Sequence, residues 1–423
     1  MRSLFRSFDT KGRGVPQARR GTLITATMIA GALTCSGQLL LKPSSSDGVV
    51  KVIPSDLTVL EAGEPRNDLA CTVTPAKTQL GFDLRFHASY DVTLPMRDMA
   101  GGDNLLTILF RVRPEDHPEE ATYFEQHVRV PWIGDDASGD ATLQGSFDVG
   151  EGKYDVAWLM RDRSERVCAS YWQTTAELLP KDRDIALTIA SGDIAESAGE
   201  QFQEEPPVQR ANSGAPYKVK LLVNFAPENS RSASMDPADT LALMSIVRSV
   251  ARNPHFGRFS IVAFNMQAQR VVYRQEDADR INFPALGQAL TSLKLGTVDV
   301  AKLGDKHGDT DFLSGLIRKE LEPGSAGPDA VIFAGPKAML DANVPQDSLK
   351  DIGNVKFPVF YMNYNSNPQA MPWKDSISRA VRFFRGYEYT ISKPRDLWYA
   401  MTDLLSHIVK SRNEKTISAI SSR

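Results

Sequence analysis

Lys218-Val219-Lys220-Leu221-Leu222-Val223-Asn224-Phe225 is a short apolar run with a linker before it and a helix start after it. Such a run reads as a central strand of a parallel sheet, covered on both faces. Ligands of open α/β sheets bind beyond the carboxyl ends of the strands, so functional residues are expected just past Asn224.

Downstream, strands and helices alternate. Asp236 is a good N-cap, with Pro237 at the first helical position, and Leu243, Val247, Val250 and Ala251 make one apolar face. Phe259 to Phe264 and Arg270 to Tyr273 read as a hairpin. Helices are expected over Pro284 to Leu293, Asp311 to Leu321 and Asp375 to Phe384. Buried strands are expected at Asp329 to Gly335 and Pro358 to Tyr364, and a further strand at Tyr387 to Ile391. Pro394 opens a last helix striped by Leu397, Met401, Leu404, Leu405 and Ile408. This is a doubly wound α/β plan, mainly parallel, with one antiparallel edge strand.

Upstream, the period changes to two. Phe82, Leu84, Phe86, Ala88, Tyr90, Val92 and Leu94 alternate with polar residues, the pattern of a half-buried antiparallel strand. Leu106 to Val112 continues it, and further strands are expected at Tyr123 to Val130, Leu143 to Val149, Tyr154 to Met160 and Val167 to Trp172. Regular strands separated by turn clusters predict an all-β sandwich. Trp158 and Trp172 read as core or interface aromatics rather than a carbohydrate platform.

The chain therefore divides into a leader (1–41), a flexible spacer (42–65), a β-sandwich (66–192), a disordered linker (193–216), an α/β domain (217–410) and a polar, loose tail (411–423). The leader has a basic start followed by an uncharged stretch from Gly21 to Leu41, which fits a cleaved secretory signal peptide or an uncleaved signal anchor. The expected location is therefore periplasmic, secreted or membrane-anchored. Cys35 lies in or beside the leader, leaving Cys71 and Cys168 to form a disulfide in an oxidising compartment. With 423 residues, 24% charged, and a formal net charge of -3, the composition gives no reason to expect nucleic acid or an anionic membrane surface as partner. Membrane contact is expected only through the leader, if it is retained.

The order of elements from Lys218 to Lys410 resembles the von Willebrand factor A domain, and is similar to exported bacterial proteins described as von Willebrand factor A-related. The hairpin, the segment Gly308-Asp309-Thr310-Asp311-Phe312-Leu313, and Gly386-Tyr387 ahead of a capped helix carry the likeness with it. The resemblance implies a divalent cation at the sheet's C-terminal edge. Its ligands would come from Asp-x-Ser-x-Ser ending the first strand, a later Thr, and an Asp ending the next parallel strand. Here the first motif falls on Asn224-Phe225-Ala226-Pro227-Glu228, the Thr is Thr310, and no acid stands at Ala334-Gly335. A hard cation such as Mg²⁺ requires carboxylates to offset its charge. Asn224 and Thr310 supply neutral oxygens, Glu228 one carboxylate and Ala226 nothing, so no metal and no cofactor is expected; should Mg²⁺ bind, its ligands would be Asn224, Glu228, Asp309 and Thr310.

Asp305, Asp309 and Asp311 form a second acidic group, whose plain reading is a helix cap by Asp309 or Thr310 among solvated acids. The six histidines include no metal-binding spacing, and the sequence holds neither a Gly-x-Ser-x-Gly elbow nor a phosphate loop. Tyr361, Asn363, Tyr364, Asn365 and Asn367 make a polar-aromatic group past a strand end. The expected function is a non-catalytic module whose crevice binds a protein or peptide. The alternative is a hydrolase or a metal-dependent adhesion protein that uses acids at the same rim.

Overall fold

The structure is a computed structural model describing residues 39–41, 53–101, 104–197, 202–211, 215–228, 232, 235–291, 307–322, 327–340 and 342–421. The spacer's Pro43-to-Gly48 stretch, Cys35 and Asp305 lie outside them. Among the described residues no helix is long and apolar enough to cross a membrane.

The N-terminal half is a β-sandwich. One sheet has the order β1 (Leu39–Leu41), β7 (Thr122–Arg129), β6 (Leu105–Pro114), β9 (Gly152–Arg161), β10 (Val167–Ala176) and β2 (Arg66–Asn67). The other runs β11 (Ile194–Glu196), β8 (Asp140–Val149), β5 (Phe86–Pro95) and β3 (Thr72–Pro75), with β4 (Gln79–Leu80) also on β5. Strict alternation along β5 puts Phe86, Ala88, Tyr90, Val92 and Leu94 into the core. Trp158 is fully buried there, with Tyr90 edge-on to it at 5.8 Å between ring centroids, and Trp172 packs against the same core. The expected disulfide joins Cys71 to Cys168 across 97 residues.

Several boundaries differ from the sequence reading. The alternating strand begins at Phe86, because residues 82–85 form a turn with Leu84 at a φ of 60°. Leu39–Leu41, read as the end of the leader, pairs with β7. The second half of the spacer is a helix, α1 (Pro54–Ala62), with Leu60 packed on the outer face of the first sheet and Asp56 ion-paired to Arg161 at 3.2 Å. The linker is in large part bound: Ile194–Glu196 is the edge strand β11, and residues 202–211 lie as a strap on the second domain.

The C-terminal domain is an α/β unit with a mixed six-stranded sheet. Its order is β14 (Arg270–Ala278), β13 (Phe256–Asn265), β12 (Tyr217–Asn224), β15 (Ala330–Pro336), β16 (Val359–Tyr364) and β17 (Tyr387–Ile391). Every neighbouring pair is parallel except β13 with β14. Val219, Leu221 and Val223 of β12 face a core shared with α2 (Pro237–Arg252), α3 (Phe283–Thr291) and α7 (Pro394–Ser421). Leu222 faces the opposite core, with α4 (Gly308–Leu321), α5 (Gln346–Lys350) and α6 (Ser376–Phe383). Lys220 is tolerated within this strand because Glu320 of α4, itself 3% exposed, meets it at 3.1 Å and Arg274 at 2.6 Å. The last helix continues to Ser421 instead of ending in a loose tail, and Arg412 donates to the Ala215 carbonyl.

Two elements join the halves. Phe82, in the turn before β5, packs into the α/β core and meets the Tyr364 ring edge-on at 6.0 Å. In the strap, Phe202 sits where a Cβ on Gly287 would stand 2.6 Å from it, and Glu205 pairs with Arg248 at 2.8 Å and Arg252 at 2.6 Å.

Replacing both Cys71→Ala and Cys168→Ala should lower unfolding free energy by up to about 4 to 5 kcal/mol for a 97-residue loop, read by urea denaturation of the oxidised protein. An unchanged midpoint would mean the bridge constrains nothing.

Candidate functional site

The rim beyond the carboxyl ends of β12, β15 and β16 holds most of the residues singled out in the sequence. Asn224 is 1% exposed, and its Oδ1 accepts hydrogen bonds from the backbone N–H of Ala226 at 3.1 Å and of Met266 at 3.2 Å. Asn265 works alike: its Nδ2 donates to the Phe225 carbonyl at 2.8 Å and its Oδ1 accepts from Ala268 N–H at 2.7 Å. These side chains replace ladder bonds that the strands lose as they splay apart. Gly335, at a φ of 142°, lies against this knot, and a Cβ there would stand 2.7 Å from the Asn224 carbonyl oxygen. The place where the resemblance would put a ligating aspartate is therefore occupied by the backbone of β12.

The later candidates are also engaged. Thr310 is buried, and its hydroxyl donates to the Ala342 carbonyl at 3.1 Å. Asp309 accepts from Gln269 Nε2 at 2.6 Å, and Asp311 is exposed on α4. Neither Asp309 nor Thr310 caps α4: the cap position is His307, with no side-chain cap bond. Glu228 is part-buried; burial foremost, then Asp239, raise its pKa, while Lys337 opposes them. Its Oε1 is buried and has no hydrogen-bond partner.

These residues do not fit a divalent cation. Asn224 has its oxygen on two backbone donors, Thr310 is committed to a carbonyl, Ala226 is apolar, and Gly335 has no room for a side chain. Among the described residues, the acid and histidine groups whose ligand atoms converge are Asp83/His87/Asp148 and His117/Glu119/Glu120, neither at this rim. Glu228, Asp309 and Asp311 are not among them.

Lys337, Lys374 and Glu388, which no local pattern singles out, complete the rim. Lys337, 8% exposed, donates to the carbonyls of Met371 and Trp373, the latter at 2.7 Å. Asp375 caps α6 through Ser378 N–H at 2.8 Å and also accepts from Ala338 N–H at 2.6 Å and Tyr361 O–H at 3.0 Å. Burial raises its pKa against the pull of those bonds. Ser378 Oγ donates to one of two carboxylates it touches, Asp375 at 2.5 Å and Glu388 at 2.7 Å, and Lys374 meets Glu388 at 3.1 Å. Tyr364 donates to Asp239 at 3.0 Å. The polar-aromatic group splits accordingly: Tyr361 and Tyr364 hold carboxylates, while Asn365 accepts from Asn367 N–H at 3.0 Å. An Asp-x-x-Ser box at Asp375 and Ser378 was the one local signal available for any of this.

A further cluster lies on the sandwich. His87 stands between Asp148 at 2.7 Å and Asp83 at 3.0 Å, with Arg85 3.4 Å from Asp148. Burial disfavours charge on the ring, but the hydrogen bonds to Asp148 and Asp83 outweigh it and raise its pKa to about 10. The turn at residues 82–85 folds Asp83 back onto His87, a contact that simple alternation along a strand does not reveal. Two cavities lie away from the rim: one of about 310 Å³ under the strap, between Pro206 and Phe283, and one of about 470 Å³ beside Arg85 and Ile194.

No protein-family model and no curated protein matches the chain. Among solved structures, a β-glucuronidase of Bacteroides uniformis is 10% identical over 74% of this chain and 38% of its own, with a TM-score of 0.19. A glycosyl hydrolase family 2 member from Bacteroides cellulosilyticus DSM 14838 is 10% identical over 77% of this chain and 39% of its own, with a TM-score of 0.18. A structural-genomics target, SoR45, is 13% identical over 27% of this chain and 92% of its own, with a TM-score of 0.18. The chain spans well under half the length of the two Bacteroides proteins, and likeness at these scores carries no inference about fold or function.

Gly335→Ala should destabilise by about 2 kcal/mol or more in urea denaturation, since it meets both an unfavourable φ and the Asn224 backbone; stability equal to wild type would refute the close approach. His87 gives a pH test. Its folded pKa, about 10, lies above the unfolded value of about 6.5, so its contribution is fully present below the unfolded value and is lost as pH rises through the folded one. The stability difference between wild type and His87→Gln should therefore shrink across that interval; a difference that grows would sink the assignment.

Proposed function

We propose that this chain is a non-catalytic protein-binding module of the cell envelope or exterior, in which a β-sandwich is joined to a doubly wound domain of von Willebrand factor A type with a metal-free crevice. The order β14-β13-β12-β15-β16-β17, antiparallel only at the β14 edge and with helices on both faces, supports the family reading. The disulfide supports an exported protein.

The observation that carries the crevice reading is the commitment of Asn224 Oδ1 to two backbone donors. An aspartate there would add a charged second oxygen able to ligate a cation; this asparagine offers an amide nitrogen instead and serves as a structural staple. Tyr361, Asn363 and Asn365 are themselves buried and hold this sheet edge rigid, so a ligand would meet a surface with little entropy left to lose. A protein or peptide ligand fits that surface better than a small substrate needing converging acids.

Calorimetric titration of the full chain with Mg²⁺, Mn²⁺ and Ca²⁺ should give no saturable heat, and the melting temperature should stay within about 1 °C. Micromolar binding abolished by Asp309→Ala would overturn the metal-free reading and revive a metal-dependent adhesion site.

A further inference from the structure

The strap at residues 202–211 crosses the α/β domain as an arch with a hollow beneath it. One foot is pinned where Glu205 meets Arg248 at 2.8 Å and Arg252 at 2.6 Å. At the other, Ala211 N–H donates to the Pro254 carbonyl at 3.0 Å and Arg210 Nη1 to the Asn253 carbonyl at 3.2 Å. Between the feet stand Pro206 and Pro207, whose rings fix φ and which have no N–H to satisfy. The arch therefore stays extended without a ladder partner. The hollow measures about 310 Å³ and is lined by Pro206, Val208 and Arg210 of the arch and by Gln275, Arg280 and Pro284 of the domain. At about 30 Å³ for each water, that is room for about ten non-hydrogen atoms.

The sign of the hollow follows from where its charges are spent. Arg210 has no carboxylate in contact among the described residues: its hydrogen bonds run to the carbonyls of Asn253 and, at 3.4 Å, of Asp279. Its guanidinium carbon lies 5.5 Å from the centre of the Phe259 ring, and the Asp279 carboxylate is held instead by Arg258 at 2.5 Å. Burial foremost lowers the Arg210 pKa, with the charge of Asp279 opposing it. Arg280 follows directly on the residue whose carbonyl Arg210 holds, which keeps the two arginines on one side of the hollow. Its pairing is loose, with Glu204 at 3.7 Å and both side chains more than half exposed. The other acid of the lining, Glu205, is already shared by two arginines. A guanidinium presents its donors as a fork that matches a carboxylate, and apolar surface from Pro206, Val208 and Pro284 stands beside these two.

We propose that the hollow under the strap binds a small amphipathic carboxylate. Arg210 and Arg280 donate to its two oxygens, and Pro206, Val208 and Pro284 flank its apolar body. The site shares no residue with the rim beyond β12, β15 and β16, and it does not rest on the protein-binding reading of that rim.

The test is calorimetric titration of the full chain with octanoate, octan-1-ol, octylamine and acetate. Octanoate should bind with a Kd below about 1 mM and at least about tenfold more tightly than the other three, an advantage that falls as salt rises. Arg210→Gln should remove that advantage. Arg280→Gln, at an exposed position where only the loose pair with Glu204 is lost, should weaken octanoate as well and serves alone if the first variant does not fold. Equal binding of octanoate, the alcohol and the amine would overturn the proposal, because the charge would then not be read. Acetate binding as tightly as octanoate would overturn it too, leaving a bare anion site. Absence of saturable heat with octanoate, or octanoate binding unchanged in both variants, would also sink it.

Discussion

The crevice depends on one contact, the approach of the end of β12 to Gly335 with Asn224 folded over it. The Asn224 oxygen takes two backbone N–H groups that would otherwise be buried without partners, each such bond contributing about 1 kcal/mol net. Closing that knot costs the site its room for an acid: Gly335 must remain without a side chain, and its neighbour Ala334 is 1% exposed in the core. The Asn224 knot thus both stiffens the rim and leaves no room for a side chain at position 335. An aspartate at position 224 would accept the same two bonds, but with no cation beside it its charge would be buried and unpaired.

How much of this was written in the sequence differs by element. β12, β13, β15 and β16 stood out because buried strands are continuous apolar runs bounded by turn residues. The disulfide was legible because Cys71 and Cys168 are the pair left once Cys35 falls in the leader. The strap at residues 202–211 was not. It has no periodicity to read, and what holds it is one aromatic side chain, Phe202 on Gly287, with the ion pairs of Glu205. Helix α1 was hidden in the same way, since Leu60 alone among its apolar residues is buried. Candidate site residues were legible as positions but not as partners. Lys337 becomes part of the rim only through carbonyls 34 and 36 residues further on, and no local pattern encodes a contact of that span.

The turn at Phe82 matters for the same reason. Alternation along the chain suggests that Phe82 and Leu84 belong to a strand, yet the positive φ at Leu84 breaks the strand and throws Phe82 outward. Phe82 then packs against Tyr364, the residue whose hydroxyl holds Asp239. One side of the rim is thus covered by the sandwich, and His87, clamped between Asp83 and Asp148, stiffens the turn that covers it. The ion pair of Asp182 with Arg395 at 3.6 Å is a further tie between the halves, beside Phe82 and the strap.

Beyond the covered Tyr364 side, the rim carries Glu228, Asp375 and Glu388. Its polarity follows from the fold rather than from any motif. Asp375 is needed to cap α6 and to receive Ala338 and Tyr361, so a carboxyl is built into the floor for structural reasons. Glu388 is drawn in by Ser378 and Lys374, and Asp239 by Tyr364. Each of these acids has its partners among the side chains and backbone around it. Glu228 is the exception, raised in pKa by burial and by Asp239, and with one oxygen bonded to nothing. A carboxylate kept in that condition is costly, and burial accordingly favours its neutral form.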